Sequence, residues 1–240
     1  MVLKIYKDTD ELIIALAEAI QKIAEEAIEA RGQFNFVLSG GSSPRKLYEL
    51  LASKTYRNKI DWKKTFFFFG DERFVPENDS QRNSLMAQKA MFDKLKISNS
   101  HILKVDTTGS PSEAAQRYAN SIAAHFHNTP MEFDFILLGL GDDAHTASLF
   151  PNTEVLKETE ATIKSDFVKK LDAYRITMTA PLINQAHTIA FLVFGENKSE
   201  AVYRVLEDKA ASAVLYPARL IKSNKKKVVW YLDTAAASRL

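Results

Sequence analysis

The sequence predicts one doubly wound α/β domain over residues 1–240: a mostly parallel sheet with helices on both faces, Rossmann-like in a modified form. Three observations carry this. The apolar spacing switches repeatedly between periods of two and about 3.6, the marks of strand and helix. Segments such as "TFFFF" and "FDFILL" lack polar alternation, as strands covered on both faces do. Strands that alternate with helices need crossover connections, and these favour a parallel sheet. No internal repeat and no Pro-, Gly- or Ser-rich linker divides the chain.

In order, "VLKIY" (2–6) reads as a short strand. "TDELIIALAEAIQKIAEEAIEARG" (9–32) is a long amphipathic helix, capped by Asp8 or Thr9 and stopped by Gly32. "FNFVL" (34–38) is a strand, and "SPRKLYELLAS" (43–53) a helix with Pro44 in its first turn. "TFFFF" (65–69) reads as a central strand. "RNSLMAQKAMFDKL" (82–95) and "SPSEAAQRYANSIAAHF" (110–126) are helices with a short strand, "HILKV" (101–105), between them. The strands "FDFILL" (133–138), "RITMT" (175–179) and "TIAFLVF" (188–194) follow, then the helix "NKSEAVYRVLED" (197–208). "KSNKKK" (222–227) is a solvated turn. "KVVWYLD" (227–233) is a last strand and "TAAASRL" (234–240) a terminal helix.

Composition excludes several classes. The net charge of +2, with 26% charged residues, marks no nucleic-acid binder, whose affinity rests on clustered Lys and Arg. With no cysteine there are no disulfides, thiol nucleophiles or thiolate metal sites. No apolar run approaches the ~18 residues of a membrane span, and "MVLKIYKDTD" has no signal-like apolar region. A cytoplasmic protein is expected.

In open parallel sheets, ligands bind beyond the carboxyl ends of the strands. Four loops meet there: "SGGSSPRK" (39–46), "GDERFVPENDSQRN" (70–83), "GLGDDAHTASLFP" (139–151) and "GENKSEA" (195–201). In the first, Gly40 and Gly41 let backbone N–H groups approach an anion, and Ser39, Ser42 and Ser43 add hydroxyls ahead of a helix N-terminus. The segment reads equally as a phosphate cradle or as a well-capped polar turn, and it has neither the P-loop nor the nucleophile-elbow spacing. "GLGDDA" fits the loose dinucleotide pattern, but Asp142 and Asp143 would sit where a pyrophosphate belongs, and the match lies mid-chain. His145 stands out because it belongs to the sheet rim behind two carboxylates. His101 and His187 precede strands, and His125 and His127, two apart, face different ways. Asp71 and Glu72 could join His145 on a metal, but Arg73 beside them reads as part of a charge-paired loop.

At these loops the sequence resembles the 6-phosphogluconolactonase family, relatives of the glucosamine-6-phosphate deaminases. The matching stretches are "SGGSSPRKLYELLA", "GDERFVP" with "DSQRNS", "LGLGDDAHTASLFP", "RITMTAPLINQAHTIAFLVFGENKSEAV", "YPARLI" and "WYLDTAAA". The deaminase pattern "TGSTP…MDEY…DGHIAFNEP" fits less well at every loop. One departure is Ala144, where the family commonly has Gly before the histidine; if that position needs φ > 0, alanine carries strain.

The resemblance implies hydrolysis of 6-phospho-D-glucono-1,5-lactone to 6-phosphogluconate in the oxidative pentose phosphate pathway, with no nucleotide or metal cofactor. His145, with an ordinary imidazole pKa of ~6.5, would be the general base activating water. Asp143 or Asp142 would orient it. Arg73, its loop fixed by Asp71, would face the developing oxyanion or a sugar oxygen. The phosphate would lie on the backbone of Gly40, Gly41, Ser42 and Ser43, with Arg45, Arg175, Lys198 and Arg219 as candidate partners, and Asn83 would hold a hydroxyl. Arg175 opens a strand, which usually places a residue at the far end of a sheet, so its inclusion rests on the resemblance. The expected partner is the phosphosugar lactone, with no nucleic acid or membrane, in a monomer or dimer. The rival readings are a glucosamine-6-phosphate deaminase and a non-catalytic sugar-phosphate sensor.

Overall fold

Unbroken apolar segments form the middle of a six-stranded sheet, and their alternate residues enter two separate cores. The structure is a computed structural model that describes residues 1–127, 129–222 and 227–240. Residues 223–226, within the basic run read as a turn, lie outside the described residues. The strands are β1 (Val2–Tyr6), β2 (Phe34–Leu38), β3 (Thr65–Phe69), β4 (Asp71–Arg73), β5 (Phe135–Leu138), β6 (Ile163–Val168), β7 (Ala173–Met178), β8 (Thr188–Val193) and β9 (Lys227–Asp233). The main sheet has the order β1-β9-β8-β5-β2-β3, and a second sheet the order β4-β7-β6. Every pairing in the first is parallel and every pairing in the second antiparallel.

Helices cover both faces: α1 (Thr9–Arg31), α2 (Ser42–Leu51), α3 (Asn83–Ala87), α4 (Asp93–Leu95), α5 (Pro111–His125), α6 (Ala180–Ile183) and α7 (Ser199–Leu206). A π-turn, Gln88–Phe92, joins α3 to α4. On one face Phe34, Phe36, Leu38, Phe67, Phe69, Phe135 and Leu137 meet α1, α2 and the π-turn. On the other, Val37, Phe68, Ile136, Leu138, Phe191 and Trp230 meet α5, α6 and α7. This explains the missing polar alternation, because both sides of each pleat are dry. Each fully buried aromatic or aliphatic side chain contributes about 1.5–3 kcal/mol. Asp8 caps α1 through its side chain, and Gly32 ends it in the left-handed conformation.

Four expectations need correction. "TFFFF" is the edge strand rather than a central one; on its open side Leu103 N–H donates to Phe67 O (2.9 Å), while Phe92 and Trp62 pack on the Phe67 ring. "HILKV" makes only one bridge, Ile102 to Phe67, because the side chain of Arg82 takes the Val105 carbonyl and the Thr107 hydroxyl. "RITMT" joins the small sheet, beside β4 and β6, two strands the apolar pattern did not reveal. "TAAASRL" forms consecutive turns rather than a helix, with the Asp233 carboxylate accepting from Ala236 N–H.

Candidate active site

The chain runs outward from β2 to β3, then returns across β2 to β5, so the topology reverses between β2 and β5. Loops leaving adjacent strands diverge at such a point and open a crevice. Here they line a cleft of about 830 Å³. Two buried tyrosines hold the strand ends from which two of its loops leave. Tyr48 accepts from Ser39 N–H (2.9 Å) and donates to Ser39 O (2.8 Å), and Tyr118 does the same for Phe69 (2.7 and 3.1 Å). Burial pushes both phenols far up, so each stays a donor at the end of its strand.

The loop after β5 is folded back on itself. Gly141 N–H donates to His145 O (2.8 Å) and Ala144 N–H to Gly141 O (2.9 Å). Ala144 has φ +58°, and Ala147 and Asn152 also lie in the left-handed region. Alanine carries roughly 1–2 kcal/mol of strain there, so the departure noted at Ala144 is a strained one. Its methyl is wholly buried, and Ala218 N–H holds its carbonyl at 3.0 Å. Strain of this kind persists only where the surroundings over-determine it.

This fold presents His145 to the cleft, stacked on Phe150 with 4.0 Å between ring centres. Its Nδ1 lies 2.5 Å from Asp143 Oδ1, and Lys170 Nζ donates to Asp143 Oδ2 at 2.9 Å. Burial alone would raise the Asp143 carboxyl, but the hydrogen bonds from His145 and Lys170 overcome it and hold the group well below the usual carboxylate range. An ionised Asp143 fixes the proton on Nδ1 and leaves Nε2 as the acceptor. Of the two aspartates left open by the sequence, Asp143 meets the imidazole; Asp142 instead accepts from Lys198 Nζ (2.6 Å) and Asn197 (3.2 Å).

Across the cleft, Gly70 breaks the line of β3 so that β4 can pair with β7, placing Arg73 opposite Arg175. That pairing brings Arg175 to the cleft despite its place in a strand. Its side chain is buried, with one long hydrogen bond, 3.4 Å to Tyr174 O. Burial first, and then Arg73, depress its pKa, while Asp71 and Glu72 oppose them. Arg73 donates to Gln81 O. Among the described residues neither guanidinium makes an ion pair. Like charges placed opposite each other repel, so the pair favours an incoming anion.

Asp71 accepts from Ser148 Oγ (2.7 Å), and Asn83 Nδ2 donates to Asp71 O (2.9 Å). Asn83 Oδ1 is buried with no hydrogen-bond partner, and a methyl at Gly40 would overlap it at 1.8 Å. Gly40 thus serves close approach, while Gly41 takes φ +105° and opens α2. No side chain caps this helix, leaving the first N–H groups, at Ser42 and Ser43, toward the cleft.

Two expected residues lie elsewhere. Arg45 pairs with Glu49 (3.0 Å) on the exposed side of α2. Arg219 donates to the carbonyls of Arg204, Val205 and Asp208 at the end of α7, bracing the segment that holds Ala144. Asp71 and Glu72 do not share a face, and among the described residues no cluster of three His, Cys, Asp or Glu could hold a metal ion.

The sequence weighed Glu72 only as a metal ligand; it is instead fully buried and accepts from the N–H groups of Arg73 (2.9 Å), Asn83 (2.7 Å) and Ser84 (2.9 Å), with Arg82 Nε 3.6 Å away. Strand alternation held the signal, since Glu72 must face opposite to Asp71 and Arg73. Lys170 was missed, because nothing local marks a lysine at a hairpin tip. Together the groups can bind an anionic, hydroxylated molecule and take a proton beside it.

A family model described as glucosamine-6-phosphate isomerases/6-phosphogluconolactonase matches residues 7–230. The chain is 37% identical over 241 residues to a 6-phosphogluconolactonase from a Nostoc species, covering 99% of this chain and 97% of that protein. It is 34% identical over 225 residues to the 6-phosphogluconolactonase of Haemophilus influenzae, covering 92% of this chain and 95% of the other. The solved 6-phosphogluconolactonase of Trypanosoma cruzi superposes with a TM-score of 0.87 at 25% identity, over 100% of this chain and 96% of that one. No helix among the described residues is long and apolar enough to cross a membrane.

Proposed function

Because the chain belongs to the 6-phosphogluconolactonase family, we propose that it hydrolyses 6-phospho-D-glucono-1,5-lactone to 6-phosphogluconate with His145 as general base. One observation carries the reading. A single cleft holds an imidazole, its Nδ1 bound to an ionised carboxylate, and two adjacent guanidiniums with no carboxylate of their own.

Nε2 takes a proton from water, and the hydroxide adds to the lactone carbonyl. The tetrahedral oxyanion collapses, the bond from C1 to the ring oxygen breaks, and the imidazolium returns its proton to that oxygen. Atoms and charge balance without a redox step. Arg73 stabilises the developing oxyanion or an adjacent sugar oxygen. Arg175, the open N-terminus of α2 and Lys198 serve the phosphate; Lys198 exchanges Asp142 for it. The unpartnered Asn83 Oδ1 accepts from a sugar hydroxyl, satisfying a buried polar atom that is otherwise costly.

The test is a time course of freshly generated lactone against its spontaneous hydrolysis. The protein accelerates the reaction, and His145→Ala lowers kcat about 10²–10⁴-fold while the product still binds. No acceleration over the uncatalysed rate, or a mutant as fast as the parent, overturns the reading.

A further inference from the structure

The tip of the β6–β7 hairpin reaches the loop carrying His145 at Asp143. Its strands pair over six positions, from Ile163 with Met178 to Val168 with Ala173. Phe167 and Tyr174 pack across them with ring centres 5.0 Å apart. A single 3₁₀ turn, Lys169–Leu171, closes the tip, and Asp172 with φ +47° turns the chain back. The β4–β7 pairing anchors the other end. Lys170 is therefore delivered to the cleft by a braced element, and there it meets Asp143.

On the reading above, we infer that Lys170 is a positioning residue: it holds one oxygen of Asp143 so that the other stays on His145 Nδ1. The two contacts, 2.9 and 2.5 Å, use different carboxylate oxygens, so Lys170 fixes the rotation of the group without competing for its bond to the ring. Asp143 is the carboxylate that meets the imidazole. The other charged groups lining the cleft are Asp71, Arg73, Arg175 and the Lys198–Asp142 pair, and none of these bonds Asp143. Lys170 itself is 70% exposed, so water screens the interaction and its effect is modest.

The experiment measures kcat and KM from pH 5 to 9 for the parent, Lys170→Met, Lys170→Arg, Asp143→Asn and the Met/Asn double variant. In Lys170→Met kcat falls about threefold, the size of an exposed charged contact, while KM holds, and Lys170→Arg restores it. In the Asp143→Asn background, Lys170→Met does nothing further, as expected of a residue acting through Asp143. An unchanged kcat, an equal loss without Asp143, or a raised KM alone overturns the inference. A parent without lactonase activity would instead defeat the function proposed above.

Discussion

Gly141→Ala tests whether the position of the imidazole, rather than the mere presence of His145, sets the rate. Gly141 is outside the left-handed region, so its backbone accepts alanine and the only obstacle is space. A methyl there would lie 2.0 Å from His145 Nδ1, 2.2 Å from Cε1 and 2.8 Å from Asp143 Oδ1. Non-bonded carbon contacts settle near 3.5 Å, so the ring must retreat by roughly 1.5 Å. That movement breaks the 2.5 Å bond from Nδ1 to Asp143. Misplacement of a reacting group by about 1 Å costs on the order of 10²-fold, and kcat should fall by at least that much. Overpacking should lower stability by only ~1–3 kcal/mol, leaving a folded protein by circular dichroism. Gly139→Ala is the control, since nothing lies within 4 Å of its added methyl; its rate should stay within about twofold. Both are read as lactone time courses corrected for spontaneous hydrolysis. Full activity in Gly141→Ala would refute the reasoning, as would an equal loss in both variants.

Three further outcomes are expected. Arg175→Met removes a buried cation set against another, so the melting temperature should hold or rise, while KM for the phosphorylated lactone increases roughly 10–100-fold from the lost charged bond; an unchanged KM would contradict the phosphate role. Arg219→Ala strips three carbonyls of their donor and should cost about 1.5–3 kcal/mol in a denaturant melt with little change in KM. His125 is depressed by burial first and by His127 second, so the unfolded chain protonates before the native one. Its contribution is complete above the unfolded value near 6.5 and is lost as pH falls through the lower folded value. The urea midpoint should drop between pH 7.5 and 5.5, and His125→Gln should flatten that slope; a midpoint that rises on acidification would reverse the argument.

The inner strands of the main sheet were legible in the sequence because they are largely apolar runs, and two dry faces leave no other reading. The small sheet was not. β4 is three charged residues, "DER", and β6, "IKSDFV", mixes apolar with charged positions, so neither shows a burial period. Arg175 was for the same reason expected at the wrong end of a sheet. The cleft followed from where the strands end, but partners within it depended on contacts between distant segments. Asp142 and Asp143 are neighbours in sequence, and only the approach of Lys198 and Lys170 from elsewhere separates their roles. Arg45 and Arg219 looked equally basic, and each has found a protein partner away from the cleft.

β1 has consequences for how the chain assembles. It pairs with β9 alone, Val2 opposite Val229, so it leaves the ribosome some 220 residues before its strand partner exists. At roughly 5–20 residues per second, that wait is about ten to forty seconds. Only in its last part, roughly two to seven seconds at that rate, does β8 present an apolar open edge of the kind that recruits other chains. β9 covers β8 and then exposes its own edge, until β1 closes the sheet with a strand that tolerates water and carries Lys4 at its centre. Deleting β1 would therefore leave the cleft standing while uncovering β9, and the damage would be read in aggregation during synthesis before it was read in turnover.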